Sequence, residues 1–437
     1  MGFLELQCWN DLQPTRIPSI DSAIFYNVAC SEYWLRFHPR GRHPLFQLVC
    51  AKIATIGSLP MLQWAFGRGF PLEGTCPAAA AAGHLHILIW AIENGCIWDL
   101  WTSNLAARNG HLDLLQWGMT NGSPWDEATC SEAAAGGHLE ILKWARLHGC
   151  PWDTRTAQAA ARNGHSEILQ WALDNGCPIS DVRRFWDHGE QLCSSAAAGG
   201  HLEILKWLRA RGCAWDATVC SQAARNGHFE TLIWAHENGC QHNQSTCSGA
   251  AAGGHLAILK WAHRNGFPWN STTCSEAAAG GHFDVLKYAR ENGCPMDART
   301  SLAAASNGDW DLLKWAHENG CPLDVNICSL AAQHGNLAIL EWAYKNGCRL
   351  QFNTCSFAAQ GGHLDVLQWA RKHGCQWGLG TCRAVAMCGR REVMKWAQQN
   401  GCPWQWHDFV ESARRSGAGE DVRQWAKDAG CPERYLS

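Results

Sequence analysis

Small and apolar positions along this chain recur as one short phrase. In residues 129–152 (TCSEAAAGGHLEILKWARLHGCPW), Cys130, Ala133, Ala134 and Gly137 fall at i, i+3, i+4 and i+7, the spacing of one helix face. Leu139, Ile141, Leu142, Trp144 and Ala145 then span an arc of roughly 220° at 100° per residue, leaving Glu140, Lys143, Arg146 and Leu147 outside. A lone surface helix needs a stripe of only about 100°, so the second helix is expected to be buried against neighbours on both sides. Thr129 reads as the N-cap of the first helix, with Glu132 completing a capping box, and Thr273 with Glu276 repeats the arrangement. Gly137 reads as the tight turn between helices, and Gly149 as the C′ stop of a second helix running from about His138 to His148.

The phrase returns along nearly the whole chain. Its central aromatic recurs from Trp64 to Trp425, mostly in steps of 27 residues, with one step of 26, one of 36 and a last one of 29. A fixed period in this range marks a stacked array. The expected fold is an all-α helical-repeat solenoid of about 14 helix-turn-helix units with short inter-repeat loops, and a contour of roughly 130 Å at 8–10 Å per helix layer. The Ala134 position is Ala in every regular repeat from Ala54 to Ala386, small enough for adjacent helices to approach closely. Residues 1–48 do not fit the period. They read either as a cap over the first open face or as a small helical adaptor module that docks to a ubiquitin-ligase core. Residues 49–407 form the array, and 408–437 read as a polar, degenerate closing repeat.

Composition narrows the function. The net charge is −3, so neither nucleic acid nor an anionic membrane is expected as a partner, nucleic acid being kept as a third, weaker option. No signal peptide or membrane-length apolar run is read, which gives an expected location in the cytoplasm or nucleus. Of 24 cysteines, ten fall at one repeat position (Cys50 to Cys382) and eleven at a second (Cys96 to Cys431). Ser103, Ser123, Ala157, Phe267 or Ser301 replaces them in sister repeats, so they read as free buried fillers rather than disulfides or zinc ligands. No cofactor is expected.

Nor is catalysis. The turn histidine recurs at nine equivalent positions, from His84 to His363, whereas catalysis needs one asymmetric constellation; these rings read as bridges between neighbouring turns. The Trp144 ladder reads as core, and a second ladder in the loops, including Trp98, Trp125 and Trp152, reads as packing too. What remains for recognition is a variable row on the first helices, where the positions of Glu132, Ala135 and Gly136 are expected to lie opposite the core. Arg108, Arg162, Arg225, Gln333 and Gln360 share one of these positions; Gln222 and Phe357 share another. Recognition or drift on an unconstrained face would both leave such a row. The lengthened step inserts a loop at 180–191, with Arg183, Arg184, Phe185, Trp186 and His188, either a recognition loop or a tolerated insertion. The three arginines fall in alternate repeats, with an expected spacing of roughly 20 Å.

The strings AARNGHLDLLQW (106–117), AAAGGHLEILKW (133–144) and AARNGHFETLIW (223–234) resemble ankyrin repeats. The resemblance covers about residues 49–431. It implies paired antiparallel helices in L-shaped repeats and a stack that binds protein partners through its inner helices and loop tips. Thr-Cys-Ser-Glu replaces the family's usual opening, and the short period implies that the β-hairpin finger is reduced to a loop. The Cys150-Pro151-Trp152-Asp153 loop is similar to arrays of protists and large DNA viruses. Together these readings predict a monomeric scaffold for an unidentified protein partner, or alternatively a substrate-recruiting adaptor acting through residues 1–48.

Overall fold

Seven of the repeats begin where an Asp or Asn side chain catches the first free backbone N–H groups of a helix. Asp126 accepts from Ala128 N at 3.0 Å, and its own N–H donates to Thr129 Oγ1 at 3.4 Å, so helix Glu127–Gly136 opens with a capping box. Asp99, Asp153, Asp216, Asn243, Asn270 and Asp297 cap their helices in the same way. This corrects the expected N-cap. Thr129 and Thr273 lie three residues inside the helix and fully buried, and Glu132 bonds Arg108 of the preceding repeat at 2.9 Å instead. An N-cap must accept from the free N–H groups of the first turn, and here Asp126 does so while Thr129 is the inner member of the box, accepting from the Asp126 N–H.

The computed structural model describes residues 48–179, 192–351, 353–378, 380–403, 406–416 and 420–435. These hold 28 α-helices and, among the described residues, no strand. The fold is the expected all-α helical-repeat class. The chain divides into two units, Met1–Trp215 and Asp216–Ser437, and the described residues form six helix pairs in the first and eight in the second. Second and first helices are joined by short loops, such as 148–153 between Leu139–Leu147 and Thr154–Asn163.

Within each unit, first helices of successive repeats lie side by side. The Ala134 position is 0% exposed in every repeat from Ala54 to Ala386. Gly249 marks one close approach, since a Cβ there would stand 2.7 Å from the Ser221 carbonyl. Second helices bury Ile141, Leu142 and Ala145 and their counterparts. Trp144 is only half-buried, and so are its counterparts except Trp64, which is more exposed, and Trp425, which is buried. The expectation of a tryptophan core is therefore corrected. At 100° per residue Leu139 and Trp144 sit about 110° to either side of the buried three, so they seal the edges of the interface instead of filling it.

The turns are held between repeats. His138 Nε2 donates to the Arg108 carbonyl at 3.1 Å, His165 to Ala135 at 3.2 Å and His282 to Ala252 at 3.2 Å. Each ring lies over the turn glycine of the preceding repeat, as His165 does over Gly137, whose φ is +84°. The expected bridging histidines are thus observed as such.

Candidate functional site

On the first helices, two buried alanine positions are followed by two neighbouring rows that are open in most repeats. Ala133 and Ala134 are fully buried, while Arg108, Arg162, Arg225, Gln333 and Gln360 are exposed. One of the other expected rows is placed differently. The Glu132 position is half-buried, as at Gln222 and Phe357, and fully buried at Ser195. A Cβ on Gly136 would stand 2.0 Å from the Arg108 carbonyl, but its counterparts Asn109, Asn163, Asn226, Asn307 and His334 are exposed, so that row is open as expected. A helix packed on two sides keeps only a narrow outward strip.

Two of the three arginines hold carboxylates of their own unit. Arg108 bonds Glu132 at 2.9 Å. Arg225 reaches Glu276 at 3.6 Å across the intervening repeat, where Gly249 leaves the way clear. These pairs are well hydrated, with 56% and 52% of the arginine side chains exposed. Residues 1–47 and the loop 180–191, with Arg183, Arg184, Phe185, Trp186 and His188, lie outside the described residues.

The loop tryptophans are pinned. Trp152 lies 5.8 Å from Trp171 by ring centroid, with the Arg146 guanidinium over its face at 4.3 Å. Arg209 over Trp215 and Arg371 over Trp377 repeat the clamp at 4.0 and 4.5 Å. Arg146 therefore belongs to the loop and not to the solvated exterior. A ring held on both sides this way is packing.

One concave feature went unread in the sequence. Asp309 and Asn336 stand where other repeats carry the bridging histidine. Each caps its own helix, accepting from Leu312 N at 3.0 Å and Ile339 N at 3.1 Å. With no ring over Gly281 or Gly308, a cavity of about 570 Å³ opens, lined by Asn307, Asp309, Trp310, Asp311, Lys314 and Asn336. The signal was the break in the histidine series between His282 and His363.

No group of three or more His, Cys, Asp or Glu able to hold a metal ion occurs among the described residues. No described helix is long and apolar enough to cross a membrane.

Recurring pairs of short helices, stacked through buried alanines, define a helical-repeat protein. Residues 157–209 match the family model described as ankyrin repeats (many copies), and the same unit recurs on both sides of that stretch. The match identifies residues 157–209 as ankyrin repeats. The crystal structure of the human ASB11 ankyrin repeat domain aligns over 38% of this chain and 84% of its own, at 18% identity and a TM-score of 0.31. So loose a superposition carries no part of the assignment. No curated protein matches the chain. Ankyrin repeats mediate protein–protein interaction, and the fold is typically a non-catalytic scaffold.

Proposed function

We propose that this chain is a scaffold whose protein partner docks on an open row of the first helices, at Arg108 and Arg162 in the first unit and Arg225, Gln333 and Gln360 in the second. One observation carries the reading. This position varies through Arg, Ala, Ser, Gln and Met, exposed at its polar residues though half-buried at Ala135 and buried at Ala198, while the position just before it is an unexposed alanine throughout. A partner offering carboxylates matches the arginines, and exchanging a hydrated intrachain pair for an intermolecular one costs little. Gln222 and Phe357 border the row, half-buried, and present an edge to the same partner. Arg183, Arg184, Phe185, Trp186 and His188 join the surface on sequence grounds, since a loop rich in Arg and aromatics suits a binding hot spot. The scaffold acts as a single chain in the cytoplasm or nucleus.

The test is binding of captured partners to the triple variant Arg108→Ala/Arg162→Ala/Arg225→Ala and to a deletion of 180–191. Loss of the same partners by both variants, with unchanged melting, is expected. Retention of all partners by both overturns the reading. Capture with and without residues 1–48 distinguishes a scaffold from an adaptor working through that segment.

A further inference from the structure

The two cysteine positions of the repeat are separated by 20 residues, and in eight repeats both are cysteine. Folding brings them together. Cys76 Sγ donates to Cys96 Sγ at 2.6 Å, closer than two unbonded sulfurs ordinarily approach. The first-helix cysteine likewise hydrogen-bonds the loop cysteine in the pairs Cys130/Cys150, Cys220/Cys240, Cys274/Cys294, Cys328/Cys348 and Cys355/Cys375. The described cysteines are all free thiols.

We propose that Cys76 and Cys96 are a redox dithiol, which hydrogen peroxide closes to a disulfide within one repeat. Accessibility singles out this pair among the contacting ones. Its sulfurs are in contact. Cys96 is half-buried, whereas the loop cysteines of the other contacting pairs, Cys150, Cys240, Cys294, Cys348 and Cys375, are buried. As at Cys348 and Cys375, the partner thiol stabilises the neighbouring thiolate, lowering Cys96 to about 7 against the opposing effect of burial. Cys177 holds the same loop position but faces Ala157, and burial pushes it up to about 11. The difference is the partner thiol.

The chemistry balances in two steps. The Cys96 thiolate attacks one peroxide oxygen, the O–O bond breaks, and Cys96 sulfenic acid and hydroxide form. The Cys76 sulfur then attacks the Cys96 sulfur, the S–O bond breaks, and the disulfide forms with loss of water as the Cys76 proton joins the leaving hydroxyl. Overall, two thiols lose two electrons and the peroxide is reduced to two waters. Two sulfurs are too few to close a tetrahedral zinc site, so redox chemistry fits the pair better than metal binding.

The full chain, fully reduced, is to be treated with a few equivalents of hydrogen peroxide. Free thiols are then alkylated with one mass label, and thiols released by dithiothreitol with a second. The expected result is a Cys76–Cys96 cross-link, reversed by dithiothreitol, forming about tenfold or more faster than any oxidation of Cys177. Alkylation of Cys96 should rise through a midpoint near pH 7. In Cys76→Ser the cross-link is lost and Cys96 is trapped as a dimedone adduct. Should that variant not fold, Cys96→Ser serves, leaving Cys76 unoxidised; a sister repeat already holds Ser103 and Ser123 at the same two positions. Equal oxidation rates at Cys96 and Cys177, or sulfinic acid at Cys96 without a link to Cys76, overturns the proposal.

Discussion

Two glycines with the same backbone geometry carry different burdens. Gly137 and Gly149 have φ of +84° and +83°, but a Cβ on Gly137 would stand 2.7 Å from the His165 ring, whereas nothing lies within 4 Å of one on Gly149. Gly149→Ala should cost the backbone strain alone, about 1–2 kcal/mol. Gly137→Ala should cost more, because the ring must also give way; equal melting temperatures for the two variants would contradict this. Thr156 offers the opposite case. Its hydroxyl is buried without a hydrogen-bond partner, so Thr156→Val keeps the shape and removes an unsatisfied group. Melting should rise or hold, and a drop of several degrees would mean that the hydroxyl matters. At this scale the glycines were legible, because few other residues take a positive φ. The cap was not. The capping residue varies between Asp and Asn while the threonine three positions on is far more constant, and constancy drew attention to the buried group.

A helix pair exposes which side chains do the packing. Leu142 is fully buried and Trp144 half-buried, so Leu142→Ala should cost about 2–5 kcal/mol and Trp144→Leu less than that. Melting curves that reverse the order would return the tryptophan to the core. The apolar arc of the second helix was read correctly as wide. Its middle was not separable from its rims, since periodicity assigns a residue to a face but not to a depth on it. The same blindness hid the cysteine contact. Twenty residues separate the two sulfurs in sequence, and only the closed repeat places Cys76 against Cys96. The turn histidines were read as bridges because nine copies argue for a repeated structural duty. Two of the repeats that lack them, at Asp309 and Asn336, open the cavity between Asn307 and Ile339.

For the whole molecule, the period alone established the repeat class, and no measure of composition could have. Which rows of the first helices are open depended on how closely neighbours approach, a packing fact that left Glu132 half-buried beside its neighbour and Arg108 outside. The central claim is that the Arg108 row, and not the exterior of the second helices, holds the partner. The most direct measurement is quantitative capture from the native cell with three baits. One is the unaltered chain, the second carries Arg108→Ala, Arg162→Ala and Arg225→Ala, and the third carries Glu140→Ala, Glu167→Ala and Glu203→Ala on exposed second-helix positions. Each hot-spot arginine is expected to contribute more than about 1 kcal/mol to binding, while exposed ion pairs add little to stability. The arginine bait should therefore lose the partners that the glutamate bait keeps, with all three proteins melting alike. Equal retention by the arginine and glutamate baits would contradict the account.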